Sequence, residues 1–167
     1  NTGPTTAWFG PQGTAGVTWV PPMGEDPNID DVSVLLNVTQ LADGDKFDRI
    51  QYNHAAQRFE YIRSLLGDGT FTAFQDFTLT RGEAVRVVAR ATGEALEYGE
   101  EAHTLSIFVN GVRGTDDVAP QQAVVGTWLD IGSAEDAAEM AHFAGGHISE
   151  VNIIPQVLAD EAVADWR

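Results

Sequence analysis

The sequence contains no cysteine, a single lysine and few basic residues of any kind. Each scarcity removes a class of function. Without cysteine there are no disulfides, thiolate metal sites or cysteine nucleophiles, so the fold must rest on packing, and the redox compartment is left open. Nine Lys plus Arg stand against 25 Asp plus Glu, a formal charge of −16. With no basic cluster to neutralise phosphates, nucleic acid and anionic membranes are excluded as partners. No apolar run approaches the roughly 20 residues of a membrane-spanning helix, so no membrane insertion is expected. The stretch from Asn1 lacks a basic segment followed by an apolar one, so no signal peptide is expected among these residues.

What is present in excess is acid. Lys46 is alone beside eight arginines, and a net charge this far from zero strains a compact fold by self-repulsion unless salt screens it. At about 1 M salt the Debye length falls to roughly 3 Å, and neighbouring carboxylates then hardly interact. The acids are spread as doublets such as Asp30-Asp31, Glu100-Glu101 and Asp116-Asp117, not gathered in a partner-binding block. We read this as adaptation to concentrated salt. The melting temperature is therefore expected to fall when KCl is lowered from about 3 M to about 0.1 M. An unchanged melting temperature across that series overturns the reading.

At 167 residues, 43% of them hydrophobic, the chain is long enough for one domain with its own core. Residues 1–28 hold Pro4, Pro11, Pro21, Pro22 and Pro27 among five glycines, which predicts an extended arm followed by a single β-sandwich domain over 29–167. The arm carries Trp8, Phe9, Trp19 and Met23, and apolar side chains of that size need a surface to cover. A neighbouring subunit is the expected surface.

The remainder reads as strands. Val32 to Leu41 is β-branched and ends at Asp43-Gly44-Asp45; residues 46–66 fit a helical stripe or a hairpin, with the hairpin preferred. Strands are also predicted over 70–80, 84–91, 103–109, 124–131 and 148–158. In residues 84–91 Val85 and Val87 alternate with Arg86, Val88 and Arg90, and Asn110-Gly111 is a hairpin-turn signal. Ser133 followed by Asp136 resembles a capping box, which predicts a helix to about Ala144. Pro155 suits an edge strand, and an acidic tail follows. The expected fold is all-β, a jelly-roll or β-sandwich with one or two short helices.

Motifs that carry catalysis are missing: no G-x-S-x-G, Walker loop, G-x-G-x-x-G after a strand, or H-E-x-x-H occurs. No catalytic residue and no cofactor are assigned. Of the four histidines, His54, His103, His142 and His147, the last two matter most. Glu139 and His142 would lie one helical turn apart with His147 and Glu150 close behind, a weak candidate set for zinc. Asp43, Asp45 and Asp48 could converge on calcium across a turn, although the glycine and bidentate Glu of an EF-hand are missing. Asn37-Val38-Thr39 is a glycosylation triplet inside a predicted strand, where Asn and Thr equally form a sheet's polar face.

In its acidic composition, its size, the Pro/Gly arm over 1–28 and the strand runs from Val32 to Pro155, the chain resembles small single-jelly-roll capsid proteins of icosahedral viruses of halophilic archaea. That resemblance implies a structural subunit of a virion, packed with other capsid chains as a homo- or hetero-oligomer, with no catalytic residues. The alternative is a non-catalytic binding or surface module, such as a spike, turret or carbohydrate-binding sandwich outside the cell, with Trp8, Trp19, Trp128 and Trp166 available to stack on sugars. The third class, an enzyme, has only the Glu139, His142, His147 and Glu150 set to nominate.

Overall fold

The computed structural model describes residues 12–23, 32–39, 46–65, 67–95, 101–120, 128–136, 139–141 and 144–165. Its strands, in chain order, begin with β1 (Gly13–Val20), β2 (Val32–Thr39), β3 (Phe47–Asn53), β4 (Arg58–Leu65), β5 (Gly69–Asp76), β6 (Val85–Ala95) and β7 (Glu101–Val109). They continue with β8 (Val112–Arg113), β9 (Asp117–Pro120), β10 (Trp128–Ile131), β11 (Ala134–Asp136), β12 (Glu139–Ala141) and β13 (His147–Ile154), and a short helix α1 (Asp160–Ala164) follows. Two antiparallel sheets form the sandwich. One runs β13-β1-β6-β7-β8 with β9 also on β7, and the other runs β10-β2-β3-β4-β5. The all-β sandwich expected from the strand spacing is therefore the fold, and no helix among the described residues is long and apolar enough to cross a membrane.

Strands occupy most of the predicted segments, but β5 ends at Asp76 and β13 at Ile154, so 77–80 and 155–158 are not strand and Pro155 follows the edge strand instead of lying in it; 124–127 lie outside the described residues. The 46–66 segment is the β3–β4 hairpin, with Phe47 opposite Ser64 and Asn53 opposite Arg58. Asn110 and Gly111 take positive φ of 50° and 80° between β7 and β8, the twist that a tight hairpin turn requires. Val85, Val87, Ile107 and Val109 are buried between the sheets. The core also contains an aromatic cluster: Phe59 meets Trp19 edge-on at 6.3 Å and lies 4.9 Å from Tyr52 and 5.6 Å from Phe77.

Three expectations need correction. Residues 1–28 are not an arm throughout, because Gly13–Val20 is β1, held between β13 and β6. Proline density misled here: Pro11 and Pro21-Pro22 flank a proline-free stretch, and Gly16 is accommodated where the pairing with β13 shifts register before Thr18. Trp19 accordingly lies in this chain's own core, fully buried, with Nε1 donating to the Gly145 carbonyl at 2.9 Å. Met23 is 79% exposed and its sulfur lies over Gly82. Trp8 and Phe9 fall outside the described residues.

The helix predicted over 133–144 is instead the β11–β12 hairpin. Ala144 N–H donates to Gly132 O at 2.9 Å, and Gly132 N–H to Leu35 O at 3.0 Å, so the two ends of the segment are tied together on β2. A helix of that length would hold its ends roughly 18 Å apart. Closure wins over local propensity.

The predicted acidic tail contains α1. Val163 and Leu158 pack on Val88 and Phe108, the residues that β6 and β7 turn away from the main core. Arg90 Nη1 donates to the Leu158 carbonyl at 2.8 Å, and Arg113 Nη1 to Asp160 at 2.8 Å. The hydrogen bond from Arg90, reinforced by its charge and by Arg113, holds the Asp160 carboxyl below the usual carboxylate range.

Candidate functional site

On β3 and β4 every second side chain faces away from the core, and register aligns these side chains into rows. Asp130 on β10 is opposite Asn37 on β2, which is opposite Arg49 on β3. In the next row Gln51 on β3 is opposite Glu60 on β4, and Glu60 opposite Phe74 on β5. Asn53 and Arg58 form a third row. The outer face of the five-stranded sheet thus gathers polar side chains from β10, β2, β3 and β4, with Ile62 of β4 and Phe74 of β5 among them.

Its side chains hold one another in place. Asn37 Nδ2 donates to Thr39 Oγ1 at 2.8 Å and to Asp130 Oδ2 at 3.2 Å, while its Oδ1 accepts from Arg49 Nε at 3.0 Å. Glu60 accepts from Gln51 at 2.7 Å, from Arg58 Nε at 2.6 Å and from Asn53 at 3.4 Å. Each arginine also rests on a phenyl ring: Arg49 is 4.4 Å from the Phe47 centroid and Arg58 is 4.5 Å from that of Phe74. Cation–π contact of this kind steadies the plane of a guanidinium. Asn37, Gln51, Glu60 and Asp130 are buried, whereas Phe47, Arg49, Arg58 and Phe74 are partly exposed at the surface of the array. The result is a sheet face of planar amide, carboxylate and guanidinium groups in fixed orientation.

The sequence-predicted candidates lie elsewhere. Glu139 is in strand β12 and not in a helix, and His142 lies outside the described residues. His147 and Glu150 are exposed on β13, at the sheet edge, and Glu150 accepts from Thr18 Oγ1 at 3.1 Å. Among the described residues no three His, Asp or Glu side chains group as metal ligands. Asp48 is no calcium-loop ligand either: it is buried in the core, taking Arg63 Nε at 2.8 Å, Nη2 at 3.0 Å and Tyr61 OH at 3.1 Å. Asp43, Asp45, Trp8 and Trp166 lie outside the described residues, and the Trp128 backbone pairs with Thr39 on β2. What sequence reasoning missed is the array itself. Its signal was the alternation Arg49-x-Gln51-x-Asn53 opposite Arg58-x-Glu60 across one hairpin.

No family model matches the chain, and no curated protein matches it. Among solved structures it is similar to the Ruminococcus gnavus IT-sialidase CBM40 bound to α2,3-sialyllactose, with a TM-score of 0.64 and 17% identity over 92% of this chain and 80% of that one. It is also similar to a heptameric SAP-like pentraxin from Limulus polyphemus, at 0.57 and 9% over 93% of this chain and 69% of that one. A third likeness is to the binding domain of botulinum neurotoxin serotype G, at 0.57 and 8%, covering 94% of this chain and 36% of that one. At these identities the likeness is one of fold, the jelly-roll β-sandwich.

Proposed function

We propose that the protein is a non-catalytic carbohydrate-binding β-sandwich module that takes a glycan on the outer face of its five-stranded sheet. The observation that carries this reading is the pair of rows Asp130–Asn37–Arg49 and Gln51–Glu60–Phe74, with Arg58 beside them. Asn37, Gln51 and Glu60 are buried and hold the array in place, so a glycan meets the partly exposed Arg49 and Arg58 and the Phe47 and Phe74 rings, which have little left to order. Arg49 and Arg58, steadied by phenyl rings, add forks suited to a carboxylate on an acidic sugar. The fold shared with a carbohydrate-binding module solved with sialyllactose supports the same reading. The place for such a module is outside the cell or at its surface.

The virion-subunit reading drew in part on an aromatic arm reaching a neighbour; Trp19 lies in this chain's own core instead, so it lends that reading no support.

Calorimetric titration against lactose, α2,3-sialyllactose and α2,6-sialyllactose tests the proposal. Arg49→Ala and Arg58→Ala are each expected to weaken the bound glycan about tenfold or more, the worth of a charge-assisted hydrogen bond, with unchanged circular dichroism. Absence of glycan binding, or affinity unaltered in both variants, overturns the reading.

A further inference from the structure

The outer face of the six-stranded sheet, on the other side of the sandwich from the glycan rows, holds a segment of the chain as a peptide is held. Residues 156–165 lie on β1, β6, β7 and β8, and side chains of the sheet bond their backbone at both ends. Thr14 Oγ1 donates to the Gln156 carbonyl at 2.8 Å and accepts from Leu158 N–H at 3.1 Å. Arg90 Nη1 donates to the Leu158 carbonyl at 2.8 Å, and Arg86 Nη2 to the Val163 carbonyl at 3.3 Å. Leu158 and Val163 meanwhile pack on Val88 and Phe108, in a cluster separate from the main core.

At the centre is a carboxylate clamp. Arg90 and Arg113 share the Phe108 ring, 5.0 Å and 5.9 Å from its centroid, and each gives its Nη1 to one oxygen of Asp160. Two guanidiniums on one carboxylate combine charge with directional hydrogen bonds. The clamp does not depend on its occupant for position, because Arg113 is also held by Asp116 and by Ser106 Oγ and the ring steadies both planes. An incoming carboxylate takes over the two bonds that Asp160 makes, so the exchange leaves both guanidiniums paired.

The present occupant is a replaceable one. α1 is five residues long and Ala159 gives it no side-chain cap, so the helix has little stability of its own. The side chains of Asp160 and Arg113 are 47% and 40% exposed, so the clamp is open to solvent. Arg90 Nε is buried and finds no hydrogen-bond partner among the described residues, so the cis occupant leaves one donor of the clamp unmet. Charge selects what can lie here: residues 156–165 carry Asp160, Glu161 and Asp165 and no base, against Arg86, Arg90 and Arg113, three of the chain's nine bases. Arginine clusters that read acidic segments rest on the same complementarity.

We propose that this face is a docking surface for a short acidic peptide of a partner protein, with an apolar residue two positions before the acid and another three after it, and that residues 156–165 occupy it in cis until such a peptide displaces them. The test uses the full-length ¹⁵N-labelled protein and a synthetic peptide spanning residues 155–165. In an Asp160→Asn variant, whose own strap grips less, the peptide is expected to shift the amides of Val88, Arg90 and Phe108 with a Kd of about 1 mM or tighter. The unsubstituted protein should bind it about tenfold more weakly or worse, since its tethered strap competes at an effective concentration on the order of millimolar. A peptide with Asn in place of the acid should lose about tenfold in affinity, the worth of a charge-assisted hydrogen bond. Arg113→Gln, added to the Asp160→Asn variant at an exposed position, should cut that difference sharply. No shift in the Asp160→Asn variant, equal binding of the two peptides, or a preference for the acid undiminished by Arg113→Gln overturns the proposal. Dimers of the unsubstituted chain that light scattering detects and Arg113→Gln removes would make the occupant the strap of a second copy and overturn the assignment to a partner protein.

Discussion

A chain lacking residues 1–20 is expected to lose its cooperative fold altogether. The deletion removes β1, which pairs with β13 on one side and β6 on the other, and takes Ala15, Val17 and Trp19 out of the core. Truncating a buried Trp alone costs about 3–5 kcal/mol, against a typical total stability of about 5–15 kcal/mol. The single variant Trp19→Ala should therefore leave a weakened but folded protein, and the deletion none. Thermal melts followed by near-ultraviolet circular dichroism check both. A truncated chain that melts like the full one would mean that β1 is dispensable and that an external arm was the better description.

Arg63→Met is expected to cost about 3–5 kcal/mol, because it leaves the Asp48 carboxylate buried without its partner. Both side chains are almost wholly buried, and the guanidinium grips both carboxylate oxygens. Burial works against the Arg63 charge, yet Tyr61 and Asp48 beside it hold the guanidinium above the ordinary arginine range; burial pushes the Tyr61 hydroxyl well up. Arg63 Nη1 finds no hydrogen-bond partner among the described residues, so even the intact cluster is incompletely satisfied. Replacing the whole set, Asp48→Leu with Arg63→Met and Tyr61→Phe, should then recover most of the loss, since apolar substitutes leave nothing unpaired. Urea unfolding of the single and triple variants measures the difference. A triple variant no more stable than Arg63→Met would show that the cluster stabilises through more than mutual compensation.

Of the strands legible in the sequence, β2 to β7 have a partner nearby along the chain, whereas β10 and β13 showed as apolar, β-branched runs although they pair with the remote β2 and β1. In 103–113 alternation is followed by Asn110-Gly111, so pattern and turn agree on the β7–β8 hairpin, and 84–91 shows its alternation without a turn signal of that kind. β1, whose partners β6 and β13 are also remote, was hidden because proline counts over a wide window ignored the proline-free stretch between Pro11 and Pro21. The 133–144 segment satisfied every local rule for a helix; what overrode them was closure onto Leu35, nearly a hundred positions earlier. Asp48 illustrates the same limit for sites. Beside Asp43 and Asp45 it reads as part of a turn, and only the register with Arg63 reveals a core ion pair. The array could not be assembled from spacing, since Asn37, Arg49 and Asp130 meet only through two strand pairings.

The Asn37-Val38-Thr39 triplet bears on how the protein can be made. Both hydroxyl and amide of the triplet are committed in the folded state, with Asn37 fully buried and bonded to Thr39, Asp130 and Arg49. An oligosaccharyltransferase meets a nascent chain before its strands pair, and a sugar attached to Asn37 at that stage has no room once β2 lies between β3 and β10. In a glycosylating secretory host, modification and folding thus compete for a single side-chain nitrogen, and every molecule that receives the sugar is withdrawn from the native yield. A bacterial cytoplasm, or Asn37→Gln where secretion is unavoidable, removes the competition, though the substitution must be judged against the array it would disturb.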